Sequence, residues 1–188
     1  SDIDKMYFTG SVAAGQSIVK NLGVKPATLE LGGNSPAIVC ADADLEMSAG
    51  ALVWSRAVNA GQCCSATKRI FVHRKIADAF IRLVVDKVKT LQPGKDYGPL
   101  IRNHARNFIY NRIQKSVQQG AHLLYGGEKS GPGFWLSPAV LLYEKESTEV
   151  VCDETFGPVI AIKIVKDEQE ALGLANNSAY GLTGSVWT

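Results

Sequence analysis

Short apolar runs recur along the chain, and most are followed by a segment with the spacing of an amphipathic helix. Strand patterns fall on residues 6–9, 27–31, 37–39, 67–73, 122–125, 137–142, 159–165 and 184–187. Helical patterns fall on residues 10–23, 42–58, 75–91, 103–119 and 167–176. Strand alternating with helix predicts an α/β fold, a mainly parallel sheet with crossover helices. Ser11 is placed to cap the first helix, and Asp42 and Asp44 put acids at the positive end of the second. Ile76, Phe80, Leu83, Val84, Val88 and Leu91 share one face of the third, and Phe108, Ile109, Ile113 and Val117 one side of the fourth. Trp54 and Val58 continue an apolar face, and Trp54 is expected in the core. Residues 92–99 form a breaker-rich loop, and residues 128–133 are expected to be a flexible one.

At 188 residues the chain suits one domain, or one domain and a piece of another. With 46% hydrophobic and 20% charged residues it can bury a substantial core. A net charge of +2 with no Lys/Arg-rich run gives no argument for nucleic acid or a membrane surface. No apolar run reaches the ~20 residues of a membrane-spanning helix, and residues 1–5 do not read as a signal peptide. The four cysteines include no Cys-x-x-Cys, and no histidines pair at zinc spacing, so no metal site is expected. Reduced thiols in a cytoplasmic setting are the expectation.

Two stretches carry candidate chemistry. Asn59-Ala60-Gly61-Gln62-Cys63-Cys64-Ser65-Ala66 sets adjacent cysteines after a Gly-Gln turn, between a helix and the strand at residues 70–73. A cysteine on such a connection is held rigidly and can face a cleft, as a nucleophilic thiolate must. A small core hydrophobe is the other reading of a buried cysteine. Upstream, Thr28-Leu29-Glu30-Leu31-Gly32-Gly33-Asn34-Ser35-Pro36 interrupts an apolar run with Glu30. A carboxylate in an apolar pocket can act as a general base, whereas alternation allows Glu30 to point to solvent. Gly10-Ser11-Val12-Ala13-Ala14-Gly15-Gln16-Ser17 is a near miss to a phosphate loop, with Gln16 in place of the lysine.

Together these motifs resemble the aldehyde dehydrogenase superfamily. Residues 29–35 are similar to its glutamate signature, and Asn59-x-Gly61-Gln62-x-Cys64, followed by Arg69 and Val72, to its cysteine signature. Phe8-Thr9-Gly10-Ser11, Glu154-Thr155-Phe156-Gly157-Pro158 and Asn177-Ser178-x-Tyr180-Gly181-Leu182 match further landmarks in the right order, and Gly98-Pro99-Leu100-Ile101 resembles another. The resemblance implies an aldehyde-dehydrogenase-like catalytic domain that oxidises an aldehyde to a carboxylic acid with NAD or NADP. Cys64 would be the nucleophile, with Cys63 a neighbour lining the pocket, and Glu30 would activate water. Gly10, Ser11 and Leu31 would lie by the nicotinamide, Glu154 would bind the adjoining ribose and Phe156 would pack by the ring.

Enzymes of this family are much longer. Residues 1–31 would therefore be the tail end of a dinucleotide-binding domain, and residues 32–188 a catalytic domain cut short at its C-terminus. Such a fragment is expected to turn over little alone, and the full-length enzyme to be a homo-oligomer without nucleic acid or membrane partners. Two other readings stand: a non-catalytic structural paralogue or fragment, and a nucleotide-binding module using residues 10–17.

Overall fold

The computed structural model describes residues 3–188. In chain order its elements are β1 (Met6–Thr9), α1 (Val12–Leu22), β2 (Ala27–Glu30), β3 (Pro36–Val39), α2 (Leu45–Ala57), β4 (Arg69–His73), α3 (Ala77–Thr90), α4 (Asn103–Gln118), β5 (His122–Tyr125), β6 (Lys129–Ser130), β7 (Trp135–Leu136), β8 (Ala139–Leu142), α5 (Glu149–Cys152), β9 (Val159–Val165), α6 (Glu168–Asn176) and β10 (Ser185–Trp187).

Six strands form the main sheet in the order β10-β3-β4-β9-β8-β5. All pairings are parallel except that of β5 with β8. All five residues of β4 are buried, as a strand covered on both faces requires. Side chains alternate between the faces. Ile70, Val72, Ile160 and Ile162 pack with Leu52, Val53, Phe80 and Val84 of α2 and α3. On the other side, Phe71 and Val165 pack with Ala171 of α6, and Val159, Ala161 and Leu141 with Ile109 and Ile113 of α4. The expected α/β layering is present.

β1 and β2 pair in parallel as a separate two-stranded sheet, linked by α1. This unit is thinly packed. Gly15 is the buried residue of α1, while Tyr7, Val19 and Val24 are exposed.

Several expectations need correction. Trp54 is 67% exposed, not core. The buried stripe of α2 runs through Ala49, Leu52, Val53 and Arg56, and Trp54 lies off that stripe. On α4 the stripe is Ile109, Arg112, Ile113 and Ser116, so Phe108 and Val117 fall on its exposed flanks. Both helices bury an arginine where the apolar pattern assumes a hydrophobe. Residues 128–133 are not simply loop: β6 pairs with β7 across a turn that places Gly131 and Gly133 at positive φ. Gly15, Gln16 and Ser17 lie inside α1, so no phosphate loop forms there. Among the described residues no helix is long and apolar enough to cross a membrane.

Candidate active site

The chain leaves α2 through a tight turn at Val58–Gly61. Asn59, Ala60 and Gly61 all have left-handed backbone, with φ of 51°, 52° and 69°. Asn tolerates this conformation, and for Ala60 it costs about 1–2 kcal/mol. At Gly61 a side chain is excluded outright, because a Cβ would lie 2.2 Å from the Gly157 carbonyl oxygen. The turn is closed reciprocally. Asn59 Nδ2 donates to the Gln62 carbonyl and Gln62 Nε2 to the Asn59 carbonyl, both at 3.0 Å. Gln62 Oε1 also accepts from the Ile101 N–H at 2.9 Å, which ties the Gly98–Ile101 stretch to the cysteines.

Three buried cations hold the neighbouring loop. Arg56, 1% exposed, donates to the carbonyls of Val159 (2.9 Å), Thr155 (3.0 Å) and Gly157. Burial pushes its pKa down to about 10, against the opposing fields of Glu154 and Cys63. Arg112 donates to the carbonyls of Asp153 (3.2 Å) and Glu154 (3.0 Å) and to Thr155 Oγ1 (3.3 Å). Lys68, whose side chain is 1% exposed, donates from Nζ to the carbonyls of Cys63 (2.9 Å) and Cys64 (2.6 Å) and pairs with Glu154 Oε1 at 3.2 Å. Burial lowers the pKa of this ammonium, and Glu154 beside it acts in the opposite direction.

The motifs converge on Gly32 and Gly33. The Gly33 N–H donates to Glu154 Oε1 at 3.2 Å. A Cβ on Gly32 would sit 2.1 Å from Glu154 Oε2. One on Gly33 would sit 3.0 Å from Leu182 Cβ and 3.2 Å from the Cys64 carbonyl oxygen. Thr183 Oγ1 adds contacts to Ser35 Oγ at 2.8 Å and the Ser65 carbonyl at 3.2 Å. The Gly10 N–H donates to the Glu30 carbonyl at 3.0 Å, bringing the first motif to the second. Gly15 leaves room for Leu31, whose Cδ2 would lie 2.7 Å from a Cβ there. Glycine at these positions is thus a matter of space.

All four cysteines are free. Cys63 Sγ lies 3.2 Å from Ser65 Oγ, and this hydrogen bond lowers its pKa against the effect of burial; backbone hydrogen bonds and the Lys68 charge add to the lowering. Burial and nearby acids raise the thiols of Cys40 and Cys152. Cys64 is half-buried, with its carbonyl gripped by Lys68.

The sequence-derived residues are placed unequally. Glu154 is half-buried in the junction, and Phe156 presents a ring 44% exposed. Leu31 is half-buried, and Gly10 and Ser11 are exposed, with Ser11 Oγ accepting from the Ala14 N–H at 3.3 Å. Glu30, at the end of β2, is exposed, so the apolar-pocket reading of this carboxylate does not hold in this chain and the solvent-facing one does. His73 is a satisfied histidine, its Nδ1 accepting from the Lys75 N–H. Lys68, Arg56 and Arg112 were missed. Arg56 alone carried a signal, a cation inside an otherwise apolar segment, which is rarely buried unless partnered; Lys68 and Arg112 stand among polar neighbours and carried none.

The sequence model of the aldehyde dehydrogenase family matches residues 1–188. Lactaldehyde dehydrogenase of Methanococcus maripaludis is 39% identical over 193 aligned positions, covering all of this chain and 41% of that protein. Succinate semialdehyde dehydrogenase [NAD(P)+] of Escherichia coli is 40% identical, covering all of this chain and 43% of that protein. Among solved structures, lactaldehyde dehydrogenase from Escherichia coli superposes with a TM-score of 0.95 at 35% identity, over 99% of this chain and 41% of that one. The NADP-dependent glyceraldehyde-3-phosphate dehydrogenase of Bacillus halodurans, complexed with NADP, gives 0.94 at 38% identity, over 99% and 40%. The chain therefore spans about two fifths of the length of these relatives. Over that span sequence motifs, their convergence in space and the matches agree, and the chain belongs to the aldehyde dehydrogenase family.

Proposed function

We propose that the complete protein oxidises an aldehyde to a carboxylic acid with NAD or NADP, using Cys64 as nucleophile and Glu30 as general base. The observation that supports this most directly is the meeting of the Cys64 carbonyl, the segment after Glu30 and the Glu154 carboxylate at Gly32–Gly33. The Cys64 thiolate adds to the aldehyde carbon to give a thiohemiacetal, and its own backbone N–H steadies the oxyanion. Glu154 and Phe156 would hold the nicotinamide end of NAD or NADP, which would supply the acceptor for the hydride of the substrate carbon. What remains on Cys64 is a thioester. Glu30 takes a proton from water as the water adds to the thioester carbonyl, the Cys64 thiolate departs and the acid is released. An exposed Glu30 has the access to water that this step needs.

The residues present suit the nicotinamide end of a dinucleotide. Both contacts of Glu154 named above fall on Oε1, while Oε2 lies over Gly32, where no side chain intrudes. A carboxylate oxygen so placed can accept ribose hydroxyls, and Phe156, two residues on in the chain, is exposed. Gly10, hydrogen-bonded to the Glu30 carbonyl, and Ser11, which caps α1, are the further residues we assign to this end of the cofactor. The substrate class is a small aldehyde, in line with the relatives' names.

The separate β1–β2 sheet supports dividing the chain after Leu31, with residues 1–31 belonging to a dinucleotide-binding domain and residues 32–188 to the catalytic one. A homo-oligomeric, cytoplasmic enzyme with reduced thiols belongs to the same reading. The test is reduced-cofactor formation by the complete protein, with lactaldehyde and succinate semialdehyde as substrates. Cys64→Ser should abolish turnover while Cys63→Ser retains it; full turnover by Cys64→Ser would refute the proposal.

A further inference from the structure

Lys68 has a place in this junction that the reading above leaves unassigned. An ammonium has three protons to donate, and here three acceptors surround it: the Cys63 carbonyl, the Cys64 carbonyl and Glu154 Oε1. Its side chain is 1% exposed. A charge withdrawn from water in this way costs free energy unless every partner is in place, and a well-packed apolar side chain would often serve stability as well or better. Each of its partners belongs to a reacting part of the proposed site: the nucleophile's own backbone on one side and the ribose-binding carboxylate on the other.

We propose that Lys68 is a positioning residue that couples occupancy of the Glu154 carboxylate to the placement of Cys64. The inference rests on the assignments of Cys64 and Glu154 made above. Glu154 Oε1 is shared between Lys68 and the Gly33 N–H. Hydroxyls donated to this carboxylate reduce the negative charge it offers to Lys68. The ammonium then leans more heavily on the carbonyls of Cys63 and Cys64, which fixes the backbone from which the Cys64 thiol projects. Cofactor binding and nucleophile placement are linked through one side chain, and the linkage runs in both directions.

The test uses the complete enzyme and compares wild type with Lys68→Met, Lys68→Gln and Lys68→Arg. The rate of iodoacetamide labelling at Cys64 is read by peptide mass spectrometry with and without saturating NAD+ or NADP+, alongside kcat and KM. Loss of a charge-assisted hydrogen bond is worth about tenfold in such a response. In wild type the cofactor should change the Cys64 labelling rate by about this factor. In Lys68→Met and Lys68→Gln the change should shrink to within about twofold and kcat should fall about tenfold, with KM for the aldehyde nearly unchanged. Lys68→Arg should keep much of the response. A wild-type cofactor response and kcat in Lys68→Met or Lys68→Gln overturns the proposal, since a merely structural lysine would alter the melting temperature and leave the response intact. Should neither neutral variant fold, hydrogen exchange of residues 63–66 in wild type decides: protection that changes with cofactor supports the coupling, and unchanged protection overturns it. If instead Cys64→Ser retains turnover, the nucleophile assignment fails and this proposal with it. An enzyme that Cys64→Ser inactivates but that ignores Lys68→Met overturns the Lys68 role alone.

Discussion

The two halves of the candidate site are built to different standards. The cysteine half rests on the centre of the six-stranded sheet, and Arg56, Lys68 and Arg112 lock its loops by hydrogen bonds to backbone carbonyls. The glutamate half rests on β1, α1 and β2, where α1 buries Gly15 and exposed apolar residues include Tyr7 and Val24. Within this chain, then, the position of Cys64 is set by dense packing, whereas Glu30 and Ser11 stand on a lightly packed platform. The two are joined chiefly at the Gly32–Gly33 segment.

The largest effect should come from breaking the dense half at its anchor. Arg56→Met strands the carbonyls of Thr155, Gly157 and Val159 in the interior and should cost about 3–5 kcal/mol, read from the urea midpoint. Gly61→Ala imposes left-handed backbone on a residue whose Cβ would meet Gly157, and should cost about 2 kcal/mol or more by the same measurement. Substitutions on the light half should be nearly silent, with Val19→Ala staying within about 0.5 kcal/mol. Amides of β1 and β2 should exchange well before those of β4 and β9; equal protection of the two sheets would remove the contrast.

The subtlest expectation concerns pH. The Cys63 pKa is lowered by the Ser65 hydrogen bond, while those of Cys40 and Cys152 are raised by burial and nearby acids. As pH rises, iodoacetamide should therefore reach Cys63 before Cys40 and Cys152. The same signs apply to stability. The thiolate of Cys63 favours the folded state above the ordinary thiol pKa, and this contribution fades as pH falls through the lowered value. For Cys40 and Cys152 the folded state holds the proton longer, so their contribution is lost as pH rises. Simultaneous labelling of Cys63, Cys40 and Cys152 would show that the Ser65 contact does not act on the thiol in solution.

Most of the layering was legible because strand and helix periods are local signals, and β4, β9 and α3 obey them. The motif residues were legible through the family resemblance, and their spatial convergence then followed from glycines at the close contacts. The buried cations were not legible. Arg56 and Arg112 sit on stripes that a hydrophobic pattern assigns to apolar side chains, and their partners are carbonyls some 41 to 103 residues away in the chain. Trp54 was misplaced for the same reason: with Arg56 filling the inward stripe of α2, the indole faces out. Local pattern reports what a side chain is, and only the fold reports which distant carbonyls can satisfy it.

The most direct measurement of the central claim is the site of covalent attachment in Glu30→Gln enzyme of the complete protein, treated with lactaldehyde and NAD+ or NADP+ and mapped by peptide mass spectrometry. With the general base removed, thioester hydrolysis should slow, and an acyl group should accumulate on Cys64 in step with a burst of reduced cofactor. Acylation of Cys63, or reduced cofactor formed with no acylated cysteine, would contradict the account.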